Sequence, residues 1–140
     1  MDVELVAGAD EAAAASGSVI LLDTNALIWL EQGRPRARAL ERAHARLYVS
    51  PASILELQFL LEANRIRLRA GTLQSLVSGG PWVVDDPPAA NWFTKAIDIG
   101  WTRDPFDRLL VAHARLRGWR LATADTVLMS RLGPDERLEV

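Results

Sequence analysis

Short apolar runs that end at aspartates, separated by segments of helical pattern, constrain this chain more than any other feature. Residues 19–22, Val-Ile-Leu-Leu, are continuously apolar and include β-branched side chains, and they end at Asp23. Such a run is typical of a strand buried on both faces, as in a parallel sheet. Residues 120–123 form a similar run that leads to Asp125. Strands that alternate with helices predict an α/β domain with a central, mostly parallel sheet.

The rest of the pattern supplies the other elements of such a domain. We predict further strands at residues 47–49 and 82–84, and the run at 120–123 is the last clear strand. Helices are predicted over residues 26–30, 35–46, 51–61, 89–99 and 105–117, and a short segment of unassigned type lies around residues 73–77. Several of the predicted helices begin at proline, which suits the first turn of a helix. A continuous helix after Pro35 would align Arg34, Arg38 and Arg42 on one face, as a solvated surface or a contact for RNA phosphates or an acidic partner.

Charge and hydropathy divide the chain into an extension and one folded region. Residues 1–18 form an acidic N-terminal extension with four acidic residues and no basic one, and residues 19–140 carry the predicted elements. The formal net charge of −2 does not by itself indicate a nucleic-acid-binding protein. Because no apolar run approaches the ~20 residues of a membrane-spanning helix and no basic secretory leader is present, we expect a cytoplasmic protein.

The absence of cysteine narrows the possible chemistry. It excludes disulfides, zinc–thiolate sites, iron–sulfur clusters and thiol nucleophiles. With only His44 and His113 available, a bound metal would be held mainly by oxygen ligands, which favours Mg²⁺ or Mn²⁺. Of the 16 basic residues, all but Lys95 are arginines, whose planar guanidinium binds two phosphate oxygens at once. Codon usage in a GC-rich genome explains the same bias.

Two aspartates follow predicted strands. Asp23 and Asp125 each come after the carboxyl end of a strand, and these ends share one edge of a parallel sheet, where sites form at a switch in strand order. The two carboxylates can therefore meet although 102 residues separate them along the chain. Each of them is equally the kind of residue that caps the next helix.

Two more acids lie at predicted helix starts. Glu56 has apolar neighbours and stands three residues after Ser53, a spacing that matches a capping box but also suits a carboxylate that needs a cation. Asp104, Pro105 and Asp107 fit the N-cap, first and third positions of a helix. The same geometry would hold two carboxylates rigidly at a helix N-terminus.

Together the acids favour metal chemistry more than any one of them does. Crowded carboxylates repel each other, and their pKa values rise unless a cation neutralises them. A bound Mg²⁺ or Mn²⁺ can activate water and stabilise charge on a phosphoryl oxygen. The cluster therefore predicts metal-dependent phosphodiester or phosphoryl chemistry.

Four segments carry a family resemblance. They are VILLDTNAL at residues 19–27, SPASILEL at residues 50–57, RDPFDRLLVAHA at residues 103–114 and LATAD at residues 121–125. In order and spacing they resemble the four acidic motifs of PIN-domain ribonucleases, and the pattern is closest to VapC-like toxins of bacterial toxin–antitoxin pairs. The acidic extension at residues 1–18 has no counterpart in that pattern.

The resemblance implies a PIN-like α/β/α sandwich over residues 19–140 and RNA cleavage that depends on Mg²⁺ or Mn²⁺. It also implies a small antitoxin partner and, commonly, a homodimer. Asp23 and Asp107 would be the main metal ligands, Asp125 would complete the cluster, and Glu56 would be a ligand or orient the attacking water.

Three further residues are auxiliary candidates under the resemblance. Thr123 and Asn25 would be polar groups that support the acids. Asp107 aligns with the third acid of the family better than Asp104, which leaves Asp104 in an auxiliary position.

Two other functions compete with the nuclease. A catalytically degenerate PIN domain would only bind RNA or a protein, although it would not need all four acids. A haloacid-dehalogenase-like phosphatase would begin its site with Asp-x-Asp, and here Asn25 replaces the second acid of such a pair.

Overall fold

The strands of residues 19–140, the part of the chain that the structure describes, form a single five-stranded sheet. In this computed structural model the strands are β1 (Val19–Leu22), β2 (Arg46–Val49), β3 (Trp82–Val84), β4 (Arg120–Thr123) and β5 (Arg137–Glu139). Their spatial order is β3-β2-β1-β4-β5, and every neighbouring pair is parallel. The expected parallel sheet is therefore confirmed. The acidic extension predicted at residues 1–18 lies outside the described residues.

Helices connect these strands in the described part of the chain. They are α1 (Thr24–Glu31), α2 (Arg38–Arg42), α3 (Pro51–Glu62), α4 (Leu73–Gly79), α5 (Ala89–Ile97), α6 (Pro105–Arg117) and α7 (Thr126–Arg131), with a 3₁₀ turn at Pro35–Ala37. Helix α6 begins at the predicted proline and ends at Gly118, whose φ of 72° closes the helix in the left-handed region. No helix among residues 19–140 is long and apolar enough to cross a membrane.

Two apolar clusters lie on opposite faces of the sheet. Along β1, Ile20 and Leu22 pack with α1 to α4, whereas Leu21 packs with α5 to α7. This division follows from the strand period of two, which sends successive side chains to opposite faces. Helices on both faces of a parallel sheet make the α/β/α sandwich that the family resemblance implied.

The predicted helix over residues 35–46 is wrong in its extent. The segment forms the 3₁₀ turn and the short α2, then His44 takes a φ of 50° and Arg46 already begins β2. Because a 3₁₀ turn precedes α2, Arg34, Arg38 and Arg42 do not form a stripe on one continuous helix. Arg36 instead stacks its guanidinium on the ring of Trp29, 3.7 Å from the centroid.

Two elements near the C-terminus were not predicted. Strand β5 has three residues, only one of them apolar, and pairs on one side with β4. Helix α7 has six residues, too few for a helical period to be visible. Both depend on tertiary packing more than on local pattern.

The strand order places a crevice beside β1. The chain builds β2 and β3 on one side of β1 and then crosses to β4 on the other side. The connections after β1 and β4 therefore leave in different directions, and a crevice opens at the carboxyl ends of these two strands. Asp23 and Asp125 stand at that crevice.

Candidate active site

The four acidic motifs meet at this crevice around a small cavity of about 40 Å³. Asp23 comes from the end of β1, Glu56 from α3, Asp107 from α6 and Asp125 from the start of α7. The lining is completed by Thr24, Asn25, Leu110 and Leu128. The structure thus brings together the four carboxylates that the sequence singled out.

Asp23 is the most buried of these acids, with 5% of its surface exposed. Its Oδ1 accepts a hydrogen bond of 2.7 Å from the backbone N–H of Ala26, so that it caps α1. Burial raises the pKa of Asp23 to about 6, against the lowering effect of hydrogen bonds from Thr123 and Ala26. The charges of Glu56 and Asp125 raise this pKa further.

Glu56 is held by a chain of hydroxyl groups and not by a capping box. Helix α3 begins at Pro51 and is capped by Ser50, so Glu56 lies beyond the first turn. Its carboxylate accepts a hydrogen bond from the Thr24 hydroxyl, and the hydroxyls of Thr24 and Ser53 are 3.0 Å apart. Because a carboxylate only accepts, Thr24 donates to Glu56 and Ser53 donates to Thr24.

The environment of Glu56 opposes its negative charge. Burial raises the pKa of Glu56, the hydrogen bond from Thr24 lowers it, and the charge of Asp104 raises it. Because α3 begins at Pro51, Glu56 does not occupy the capping-box position, and it lines the cavity instead.

The two acids at the start of α6 have different surroundings. Asp104 is exposed, does not line the cavity and caps the helix, with its Oδ1 2.8 Å from the N–H of Phe106 and 3.2 Å from that of Asp107. Asp107 is half-buried in the cavity, and its carboxylate accepts no hydrogen bond from residues 19–140. The geometry therefore agrees with Asp107, and not Asp104, as the third acid.

Asp107 carries the largest accumulation of like charge. Burial, followed by the charges of Asp104, Asp125, Glu56 and Asp23 in that order, raises the pKa of Asp107 to about 7. A cation that joined the cluster would lower this pKa and favour the charged carboxylate.

Thr123 connects two of the acids. Its hydroxyl donates to Asp23, and its Oγ1 accepts from the backbone N–H of Asp125 at 3.0 Å. Asp125 in turn caps α7, with its Oδ1 2.8 Å from the N–H of Val127. Asn25 is exposed at the cavity rim.

The donor set suits a hard divalent cation. Every candidate ligand offers oxygen, and the charge repulsion at Asp107 would be relieved by a positive ion. Within residues 19–140, however, no three carboxylate or histidine side chains are arranged as a finished metal site. Asp23 and Asp125 are turned toward helix N-termini and Glu56 toward Thr24, so a cation would have to draw these side chains together.

Sequence reasoning missed Thr24 and Ser53 as parts of the site. Both are buried, with 4% and 0% of their surfaces exposed. A signal was available, since Thr24 directly follows Asp23 and Ser53 lies three residues before Glu56, on the same side of a helix.

Comparison with known proteins agrees with this fold. The family model of the PIN domain matches residues 20–133. Ribonuclease VapC22 of Mycobacterium tuberculosis is 32% identical over 124 residues, which cover 84% of this chain and 95% of the relative.

Two solved structures share the fold at lower identity. A toxin–antitoxin complex from Klebsiella pneumoniae gives a TM-score of 0.62 at 20% identity, covering 85% of this chain and 95% of that chain. FitAB bound to an IR36 DNA fragment gives a TM-score of 0.51 at 21% identity, with 86% and 94% covered.

Proposed function

Because the chain belongs to the PIN-domain family, we propose that its carboxylate cluster is the active site of a metal-dependent endoribonuclease. The observation that carries the proposal is the convergence of Asp23, Glu56, Asp107 and Asp125 on one cavity at the switch point of the sheet. The ribonuclease of M. tuberculosis, which aligns with most of this chain, supports RNA as the substrate.

Each of the four acids would have a role in RNA cleavage. Asp23 and Asp107 would hold Mg²⁺ or Mn²⁺, with Asp125 and Glu56 completing the set. When bound, the ion would supply activation of water and stabilisation of charge on the phosphoryl oxygen. Glu56, fixed by the Thr24 hydroxyl, is placed to orient a water molecule and to accept its proton. Leu110 and Leu128 wall the cavity with apolar surface, which strengthens electrostatic interactions inside it.

A toxin role with a small antitoxin partner belongs to the same proposal. The K. pneumoniae structure that shares this fold is a toxin–antitoxin complex. The carboxylate cluster attracts cations, so we expect the antitoxin to place a basic side chain, an arginine, among the acids. A toxin that cleaves cellular RNA would act in the cytoplasm.

We also propose a homodimer. Phe93 and Ile97 project from α5 with 55% and 71% of their surfaces exposed, an apolar area that a second copy would cover. Light scattering on the purified protein should give twice the mass of one chain. A single-chain mass at all accessible concentrations would contradict this.

Cleavage of single-stranded RNA by the purified protein, freed of any partner, tests the central proposal. Activity should require added Mg²⁺ or Mn²⁺, and EDTA should abolish it. Cleavage that persists in excess EDTA would contradict the metal mechanism. RNA binding without cleavage under any metal condition would favour the degenerate PIN domain instead.

Growth measurements test the toxin role separately. Expression of the wild-type chain should slow growth, and co-expression of the small protein encoded beside it should restore growth. The matched control is Asp23→Asn, which keeps a capping side chain for α1 but loses a charged ligand. If wild type and this variant slow growth equally, toxicity does not arise from the carboxylate cluster.

A further inference from the structure

The connection between α3 and α4 presents a row of arginines to solvent. Over residues 65–69, Arg-Ile-Arg-Leu-Arg, the arginines at 65, 67 and 69 are exposed, whereas Ile66 and Leu68 pack against the apolar cluster beneath α1 to α4. The two apolar side chains thus face the core, and the three arginines between and beside them remain exposed. We call Arg65, Arg67 and Arg69 the arginine edge.

The backbone of the arginine edge is anchored to neighbouring elements. The Glu31 carboxylate at the end of α1 accepts hydrogen bonds from the N–H groups of Arg69 and Ala70, at 3.1 and 2.8 Å. The side chain of Gln32 donates to the carbonyl of Arg67 at 3.3 Å. These bonds give a connection without regular secondary structure a fixed path, so the arginines start from defined positions.

The arginine edge forms no direct ion pair within the part of the chain that the structure describes. Glu31 is the acid beside these arginines, and both of its oxygens are occupied by backbone N–H groups. Three neighbouring cations that are left unpaired form a binding surface for a polyanion.

We propose that the arginine edge binds the phosphate backbone of single-stranded RNA that extends beyond the carboxylate cavity; this inference rests on the proposed ribonuclease function. Arginine suits the task because its planar fork contacts two phosphate oxygens. Helix α1 begins beside the cavity at Thr24 and ends at Glu31, about 10 Å further along the helix axis at 1.5 Å per residue. An RNA strand of several nucleotides would therefore contact both places.

The side chains favour RNA over an acidic protein as the occupant. A protein interface needs an apolar centre surrounded by polar residues. Here Ile66 and Leu68, the apolar side chains that alternate with the arginines, face the core. The side chains that the arginine edge itself exposes are therefore all cationic, which matches a phosphate backbone.

RNA binding in EDTA tests the inference without involving cleavage. The test variant is Arg65→Gln with Arg67→Gln, which leaves Arg69 in place because its guanidinium packs over Gly33. The matched control is Lys95→Gln with Arg131→Gln, which removes the same charge from exposed positions on α5 and α7. Fluorescence anisotropy would measure the affinity for a long single-stranded RNA at several salt concentrations, and melting temperatures would verify that both variants fold.

The expected result is a loss of affinity of ~10-fold in the test variant, with a salt slope that is shallower by about 1.4, as for two lost phosphate contacts. The control variant should bind like wild type. The inference would be overturned if the test variant bound RNA as tightly as wild type, or if the test and control variants lost the same affinity. Unchanged RNA affinity together with weakened binding of the antitoxin would also overturn it, and would assign the arginine edge to a protein contact.

A short substrate separates this inference from the proposed function. With Mg²⁺ present, cleavage of a trinucleotide that reaches only the cavity should be equal in wild type and the test variant, whereas cleavage of long RNA at low concentration should be slower in the variant. If wild type cleaves neither substrate but RNA affinity still depends on Arg65 and Arg67, the ribonuclease proposal fails and the arginine edge stands.

Discussion

At the scale of single residues, the four cavity acids differ in how many tasks they perform. Asp23 and Asp125 cap helices, and Glu56 receives the Thr24 hydroxyl, but the carboxylate of Asp107 accepts no hydrogen bond within the described part of the chain. Its position in the cavity therefore has no local structural explanation. This difference makes Asp107 the best residue for separating function from folding.

Asp107→Asn should abolish most RNA cleavage and weaken metal binding, because it removes a charged ligand while the shape of the side chain hardly changes. Without metal, its melting temperature should equal or exceed that of wild type, since carboxylate repulsion is relieved. The measurements are cleavage rate against metal concentration and melting temperature in EDTA.

The neighbouring substitution Asp104→Asn is the matched comparison. Asparagine caps a helix about as well as aspartate, so stability should hardly change, and partial activity should remain. An inactive Asp104→Asn beside an active Asp107→Asn would reverse the assignment of the third acid. Full activity in both variants would mean that the two acids at the start of α6 serve the helix start and not catalysis.

Thr24 offers a second test at this scale. Thr24→Val keeps the volume but removes the hydroxyl that binds Glu56, and should reduce kcat/KM about tenfold, the equivalent of one hydrogen bond to a charged group. Thr24→Ser keeps the hydroxyl and should retain most activity. If the serine variant loses as much activity as the valine variant, keeping the hydroxyl does not preserve the site, and the proposed role of this hydrogen bond is contradicted.

At the scale of elements, the sequence predicted the strands and helix ends that a local pattern of residues determines. The runs before Asp23 and Asp125 became adjacent strands, and Pro105 and Gly118 bounded α6 where expected. The three-residue β5 could not be predicted, because its only regular feature is pairing with β4. The contact between Thr24 and Ser53 could not be predicted either, because these two residues lie 29 positions apart on different helices.

Gly118 tests how much the end of α6 depends on its residue type. Gly118→Ala should cost about 1–2 kcal/mol, because alanine at a φ of 72° is strained although a Cβ there would meet no atom within 4 Å. Gly100→Ala is the control, with equal space and no left-handed backbone. Urea unfolding measures both, and equal free energies of unfolding would contradict the conformational explanation.

At the scale of the whole molecule, the raised pKa values of two acids should make the metal-free protein less stable as the pH rises. The folded pKa values of Asp23 and Asp107, about 6 and about 7, lie above the ordinary 3.8 of an aspartate. The folded state therefore binds protons more tightly, and this contribution to stability is complete below about pH 4 and is lost as pH rises through 6 to 7.

Melting temperatures measured in EDTA between about pH 5 and about pH 8 test this expectation. His113 acts in the opposite sense, because burial lowers its pKa, so the comparison should be made with Asp107→Asn. The variant should gain most over wild type at the alkaline end. Saturating Mg²⁺ should remove that advantage, and an advantage independent of pH would contradict the role of charge repulsion.

The hydrogen bonds by which Asp23 and Asp125 cap helices affect which acids would be retained during evolution. In a lineage released from selection for cleavage, these two residues would persist, because replacing either would loosen the start of α1 or α7. Asp107 would drift first, since its carboxylate accepts no hydrogen bond that the described fold would lose. Among descendants of this chain, the residue at position 107 therefore distinguishes working enzymes from inactive copies better than the number of acids retained.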